Sequence, residues 1–185
     1  MGESYLVLWS QDRCRTLKKA GDVGKSLQVL FGGPHISAPS FRRYGVAAGD
    51  WVNVGAFQKG TLFIVARLRV KEIIGVGDYL WTHLGFQGSS DSSEAPRNLG
   101  HRWPEGCVEE AVVGEESTSI RFDLAVPLEL LTSLRFRNKR GQERGLRVED
   151  GKLKGISGMQ GHVMRFATDS GRAIEALVLS SPTPE

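Results

Sequence analysis

The hydrophobic residues of this chain cluster in short runs that predict β-strands. The first run, 5–9, is apolar and ends in polar residues, which indicates a buried first strand. A second run, 51–57, and a third, 61–70, are separated by Lys59 and Gly60, so we predict an antiparallel hairpin. Apolar side chains lie on both alternating sets of the third run, which indicates a strand that is buried on both faces.

Weaker patterns predict the remaining elements. Glycine, proline and serine dominate 85–96, which predicts a mobile surface loop. The predicted helices are a short one within 23–30, a single turn at 39–45, a short helix at 127–134 that begins with proline, and a terminal helix after Asp169. The further predicted strands are 109–113 and 118–122 around a turn at 114–116, the pair 135–137 and 144–148, and a short strand within 161–166.

Strands mixed with scattered short helices predict an α+β fold built around a β-barrel. A chain of 185 residues suits one domain with a full hydrophobic core, which we place at 1–179. The proline- and serine-rich residues 180–185 are predicted to be a disordered tail.

Targeting and redox signals are few in this sequence. The N-terminus lacks the basic and long apolar regions of a secretory signal, and no apolar run approaches the roughly 20 residues that a membrane span needs. The two cysteines, Cys14 and Cys107, lie in dissimilar contexts, so free thiols are expected rather than a disulfide framework. These features predict a cytoplasmic protein without a membrane partner.

The order of elements resembles the EVE-type branch of the PUA-like superfamily, whose members are small β-barrels that read nucleic acids. The resemblance rests on an apolar-aromatic first strand, a basic and aromatic helical turn, a Gly-Asp step into the central hairpin and a later strand, proline and Leu-rich helix. The matching stretches are 5–10, 41–44, 49–54, 70–73, 121–131 and 161–166. It implies a PUA-like mixed β pseudo-barrel with short peripheral helices. It also implies a module that reads a single base, flipped or modified, with DNA slightly favoured over RNA.

Reading an extruded base requires a flat aromatic face and hydrogen-bond partners for the base edge. Trp9, followed by Ser10 and Gln11, supplies both kinds of group at the end of the first strand. Tyr44 and Trp51 flank the Gly-Asp step, so either residue is expected to close the pocket opposite Trp9. The alternative for each aromatic side chain is an ordinary place in the hydrophobic core.

Basic residues set the expected contacts to phosphate. The chain carries 24 Lys and Arg against 21 Asp and Glu, a net charge of +3, so distribution matters more than total. A solvated, charged hairpin is the alternative interpretation for the basic segment 135–154. The predicted phosphate contacts are Arg13, Arg15, Lys18, Arg42, Arg43, Arg137, Lys139 and Arg140.

Two rival functions are an ASCH-like ribonuclease and a protein-interaction module whose acidic segment, 105–116, meets a partner. We favour a binding protein over an enzyme, because no catalytic signature is present. Lys19 stands where a phosphate-binding loop ending in Gly24-Lys25-Ser26 would need glycine. No short-range metal spacing links the histidines, so neither metal nor cofactor is predicted; these are His35, His83, His101 and His162.

Overall fold

The computed structural model describes residues 2–33, 40–84, 108–154, 159 and 162–181. Ten strands and five helices form along these residues. The strands are β1 (Ser4–Trp9), β2 (Val29–Gly32), β3 (Trp51–Gln58), β4 (Thr61–Gly75), β5 (Glu110–Ser117), β6 (Arg135–Arg137), β7 (Glu143–Gly145), β8 (Val148–Glu149), β9 (Lys152–Leu153) and β10 (Met164–Arg165). The helices are α1 (Gln11–Ala20), α2 (Phe41–Tyr44), α3 (Val76–Leu84), α4 (Leu128–Ser133) and α5 (Thr168–Ser180).

Six strands form one sheet in the order β10-β1-β3-β4-β5-β2, and β6-β7 and β8-β9 form two small hairpins. The central pair is the predicted hairpin, whose two-residue turn has positive φ at Lys59 (50°) and Gly60 (89°). Positive φ at both turn residues matches the right-handed twist of the flanking strands. Register shifts at Val54/Gly55 and on both sides of Val70 act as β-bulges that bend the strands, so the sheet is curled.

Strand β1 pairs with β3 in parallel, and this pairing decides where the functional groups lie. Ser4 is opposite Trp51, and Trp9 is opposite Ala56. The carboxyl ends of both strands therefore meet at one edge of the sheet, together with the turn that joins β3 to β4.

The described residues form three hydrophobic clusters, and the buried apolar side chains of β4 belong to the two larger ones. Val65 lies in the cluster with Trp9 and α1, whereas Ile64 lies in the cluster with α4 and α5. Their exposed fractions are 0% and 1%. The prediction that this strand is buried on both faces is confirmed.

Helix α2 is short, and side chains hold both of its ends. Ser40 Oγ accepts a hydrogen bond from Arg43 N, and Gly45 ends the helix in the left-handed conformation (φ 83°). The buried carboxylate of Glu110 accepts from Ser40 Oγ at 2.6 Å and from Phe41 N at 2.8 Å. A four-residue helix is thereby fixed to β5, which it could not achieve by its own backbone bonds.

Two predicted segments were wrong. The residues predicted to hold a helix within 23–30 instead lead into β2, and the helix lies earlier, at α1. Ser10 and Gly21 cap α1, and Cys14 and Leu17 face the core at helical spacing. The strand predicted at 109–113 forms as β5, which continues through the supposed turn to Ser117 while paired with β4. The second strand, predicted at 118–122, does not form, and Ser119 makes only an isolated bridge to Ser26.

The α+β class, with a curled sheet and short peripheral helices, is confirmed. The first strand, the hairpin, the turn at α2, the β6-β7 pair and the terminal helix all form close to their predicted positions. Helix α3 was not predicted. Ser180 belongs to α5, whereas 182–185 and the predicted loop at 85–96 lie outside the described residues. No helix in the described ranges is long and apolar enough to span a membrane.

Candidate functional site: the Trp9 cavity

A cavity of about 310 Å³ opens at the edge where β1 and β3 end, and we name it the Trp9 cavity. Its volume lies at the lower end of the range of about 300–1,000 Å³ that is usual for small-ligand sites. Its lining residues come from β1, α1, the β3-β4 hairpin and the segment after β5. They are Trp9, Gln11, Cys14, Arg15, Lys18, Ala56, Phe57, Gln58, Lys59, Phe63 and Phe122.

The sequence around Ser10 turns the chain from β1 into α1 and so builds one wall. Ser10 Oγ accepts a hydrogen bond from Arg13 N at 3.2 Å, as expected for an N-cap residue. Cys14 and Leu17 then anchor α1 to the core. Ser10 itself does not line the cavity, and its hydroxyl oxygen serves the helix.

Trp9 is more deeply buried than a free stacking platform would be, with 6% of its surface exposed. The guanidinium carbon of Arg13 lies 4.8 Å from the centre of the indole ring, a cation–π arrangement that covers one face. Burial lowers the pKa of Arg13 to about 10, so the side chain remains a cation at neutral pH. Trp9 therefore forms the floor of the cavity, and Arg13 supports the floor instead of standing free for phosphate.

The side walls are phenylalanines. Phe57, Phe63 and Phe122 are each half-buried and line the cavity. Lys18 Nζ lies 4.4 Å from the centre of the Phe122 ring. Because the Lys18 side chain is long and exposed, it can leave this ring for an incoming planar group.

Polar and cationic groups surround the opening. Gln11 and Gln58 are exposed side-chain amides, which can donate to and accept from the edge of a planar ligand. Lys18 and Lys59 add positive charge, and Arg15 forms an ion pair with Asp12. Burial raises the pKa of the Cys14 thiol, which keeps this wall neutral.

Trp51 does not close the cavity opposite Trp9, so that predicted pairing is wrong. The register places Trp51 five residues back along the paired strands, about 16 Å away at 3.3 Å per residue. Its ring stacks instead on Arg67, whose guanidinium carbon lies 3.6 Å from the ring centre. Tyr44 does not line the cavity either, and its hydroxyl forms a 2.6 Å hydrogen bond with His162 Nδ1.

The predicted phosphate contacts fall into two groups and one exception. Arg13, Arg15 and Lys18 lie on α1 beside the Trp9 cavity. Arg42 and Arg43 lie on α2, and the tip of the β6-β7 hairpin lies beside them, because Lys139 Nζ donates to Arg43 O at 3.4 Å. We name the second group, which is Arg42, Arg43, Lys139 and Arg140, the α2–hairpin patch.

Arg137 is the exception, because Glu3 engages its guanidinium. Arg137 Nη2 lies 2.8 Å from Glu3 Oε1 and 3.0 Å from Oε2. Arg42 is partly engaged as well, since it donates to Ile73 O at 2.6 Å, although its side chain remains exposed. Arg43 and Arg140 are exposed at the surface of the patch.

Most described carboxylates of the acidic segment 105–116 have hydrogen-bond or ion-pair partners within the molecule. Glu110 is buried against α2, and Arg69 pairs with Glu115 at 3.2 Å and Glu116 at 2.8 Å. Glu109 is exposed, and 105–107 lie outside the described residues. The described part of the segment therefore presents little unpaired acid to a partner.

The described residues contain no cluster of three or more His, Cys, Asp or Glu side chains that could hold a metal ion. His83 stacks on Tyr79, with ring centres 4.9 Å apart. His35, His101 and Cys107 lie outside the described ranges.

Cys14, Gln58, Lys59 and the three phenylalanine walls line the cavity, although the sequence pattern did not predict them as site residues. The available signal was the hairpin turn: residues next to Lys59-Gly60 stand at the carboxyl end of β3. That end meets Trp9 only if β1 and β3 are parallel, and the strand pattern alone does not give the direction of pairing.

Comparisons with known proteins give distant likenesses only. No family model matches the chain, and no curated protein matches it. A structure titled as a hypothetical protein from Leishmania major covers 96% of this chain and 94% of its own, at 12% identity and a TM-score of 0.45. Two mutants of the ZmASCH protein from Zymomonas mobilis cover 95% of this chain, and 96% and 98% of their own. Their identities are 9% and 11%, with TM-scores of 0.42 and 0.38, and likenesses this distant carry no inference about family or activity.

Proposed function

We propose that this chain is a nucleic-acid-binding module of the PUA-like, EVE-like type that takes a single base into the Trp9 cavity. The observation that carries the proposal is the composition of this cavity: an indole floor and phenylalanine walls, with amides and cations at the opening. Aromatic surfaces bind any base by stacking, amides select its edge, and cations attract its phosphates.

A base that stacks on Phe122 displaces Lys18 from that ring and leaves the ammonium group for a neighbouring phosphate. Stacking on one aromatic side chain contributes about 1–3 kcal/mol per base, enough to offset much of the cost of unstacking it from a strand. Gln11 and Gln58 then act as the base-edge readers. This assignment transfers the reading role from Ser10, whose hydroxyl oxygen caps α1.

The α2–hairpin patch supplies contacts to the backbone away from the base. Its exposed cations come from two elements that the Lys139–Arg43 contact holds together. Such contacts position a nucleic acid and are insensitive to its sequence. The preference for DNA over RNA and for a modified base follows from the EVE-like resemblance.

Fluorescence anisotropy with short labelled DNA and RNA strands, each varied at one central base, tests this proposal. Phe122→Leu is expected to weaken binding of the preferred base by about 1–3 kcal/mol and to reduce discrimination between bases. Lys18→Gln is expected to weaken all strands alike and to flatten the plot of log K against log salt by about 0.7, the slope of one phosphate contact on a single strand. Lys19→Gln is the matched control, because Lys19 is exposed on the same helix but does not line the cavity.

Two outcomes would overturn the proposal. If no strand binds at low salt, the binding module is wrong and the protein-interaction alternative gains. If the RNA strands are cut during the assay, and a Phe122 variant cuts them equally well, the ribonuclease alternative replaces a reader at this cavity.

A further inference from the structure

A second cavity, of about 420 Å³, lies at the other end of β3, where Trp51 stands. We name it the Trp51 cavity, and it shares no lining residue with the Trp9 cavity. It lies between the start of α5 and strands β1, β3 and β4. The residues that matter here are Glu3, Trp51, Arg67, Thr168, Arg172 and Glu175.

Arg67 is a buried cation at this cavity, with 4% of its surface exposed. Its guanidinium stacks on Trp51 at 3.6 Å, and its Nη2 donates to Glu175 Oε1 at 2.7 Å. Within the described residues, its Nε–H has no hydrogen-bond acceptor. A buried N–H group without an acceptor costs about 1–3 kcal/mol, so such a group in a native protein points to a bound water or ligand.

The N-terminus of α5 opens on the same cavity. Thr168 is the first residue of this 13-residue helix and lines the cavity. The N-cap residue is Ala167, which has no side chain that could accept from the first-turn N–H groups. Those groups and the helix dipole favour an anion at this position.

The carboxylates of the cavity are already neutralised. Glu175 is paired with Arg67, and Glu3 with Arg137 at 2.8 Å and Arg165 at 3.7 Å. Arg69 is paired with Glu115 and Glu116. Arg172, however, forms only a long ion pair, 3.8 Å from Asp169. Because the two side chains are 61% and 98% exposed, this pair is weak and leaves the Arg172 charge to solvent or a ligand.

We propose that the Trp51 cavity is a second binding site, for the oxyanion of a phosphate group. Arg67 and the first-turn N–H groups of α5 bind the phosphate oxygens, and Arg172 supplies further positive charge at the opening. The phosphate belongs either to a small phosphorylated molecule or to the backbone of a nucleic acid. The site does not depend on the base-reading role of the Trp9 cavity.

Proton–nitrogen NMR observes the proposed contacts directly, because the Arg67 Nε–H group and the Thr168 amide both give resonances. Arg67→Lys assigns the Nε–H signal and keeps the cation that Glu175 needs. Titration with inorganic phosphate at constant ionic strength, against chloride, is expected to shift both signals saturably with one dissociation constant in about the millimolar range. Arg172→Gln is expected to weaken binding several-fold, whereas Arg147→Gln, which removes a similarly exposed and paired arginine elsewhere, is expected to leave it unchanged.

A third titration, with a short oligonucleotide, separates the two sources of phosphate. Shifts at both groups that Arg172→Gln weakens assign the site to a phosphodiester backbone; shifts with inorganic phosphate alone assign it to a small phosphorylated molecule. The proposal is overturned if phosphate and chloride move the signals equally and without saturation. It is also overturned if the Nε–H signal shows exchange with a bound water that phosphate does not displace.

Discussion

Replacement of Glu110 should show how strongly one buried carboxylate holds α2 in place. Glu110 has 8% of its surface exposed and lies at the start of β5. It accepts hydrogen bonds from Ser40 Oγ at 2.6 Å and Phe41 N at 2.8 Å, and a longer one from Arg42 N at 3.4 Å. Glu110→Ala removes both acceptor oxygens, and with them all three hydrogen bonds, and leaves the buried Phe41 N–H without this partner.

The magnitude follows from the two short bonds. A hydrogen bond to a charged group contributes about 1.5–3 kcal/mol, and water can reach Ser40 because this side chain is only half-buried. We therefore expect Glu110→Ala to lower the free energy of unfolding by about 2–4 kcal/mol. Glu110→Gln keeps one oxygen acceptor and should cost less, about 1–2 kcal/mol.

Urea denaturation followed by circular dichroism measures both variants, with Glu109→Gln as the matched control. Glu109 is the adjacent carboxylate and is exposed, so its replacement should change stability by less than about 0.5 kcal/mol. Glu110→Ala should also weaken nucleic-acid binding, because α2 carries Arg42 and Arg43. Equal stability of the Glu110→Ala and Glu109→Gln variants would refute the role of this carboxylate.

Three further outcomes are expected from burial. Ile64→Asp should cost about 3 kcal/mol or more of stability through an unpaired buried charge, whereas the same change at exposed Lys71 should cost little; equal melting temperatures would contradict it. Trp9→Ala should cost about 3–5 kcal/mol of folding, more than any loss of binding, and a normally stable variant would contradict the buried floor. Burial raises the pKa of Tyr5, whose hydroxyl donates to Gly45 O, so its contribution is present below about pH 10 and is lost as pH rises further. Tyr5→Phe should remove part of that alkaline loss in urea titrations, and an unchanged pH profile would contradict it.

The sequence was sufficient for elements that local patterns specify. The β3-β4 hairpin follows from its two-residue turn and its apolar runs, and α2 from Ser40 and Gly45 at its ends. The terminal helix follows in the same way from its apolar spacing. Each of these signals lies within the segment that it specifies.

The candidate site depends on contacts that local patterns do not contain. Trp9 and Phe57 become neighbours only because β1 pairs with β3 in parallel. Phe122 joins them from a segment that the pattern assigned to a strand. Likewise, Trp51 looked like a partner of Trp9 until the register placed it at the opposite end of β3.

The phosphate contacts were predicted from where basic residues lie in the sequence. The structure shows which of these residues already have an acidic partner. Arg137 and Arg43 look alike in the sequence, but Glu3 pairs with the first, whereas the second is exposed. Arg67 was not singled out at all, because a lone arginine in an apolar strand gives no sign of the cavity beside it. Pairing between distant residues is therefore the information that the sequence lacked.

Photo-cross-linking tests the central claim, a single base inside the Trp9 cavity, most directly. A short DNA or RNA strand with 5-iodouracil at its central position is irradiated with the protein, and the linked residue is identified by mass spectrometry. The account predicts cross-links to Phe57 or Phe122, which Phe122→Leu redistributes or reduces and Lys19→Gln leaves unchanged. Cross-links that fall on Trp51, or only on the α2–hairpin patch, would contradict it.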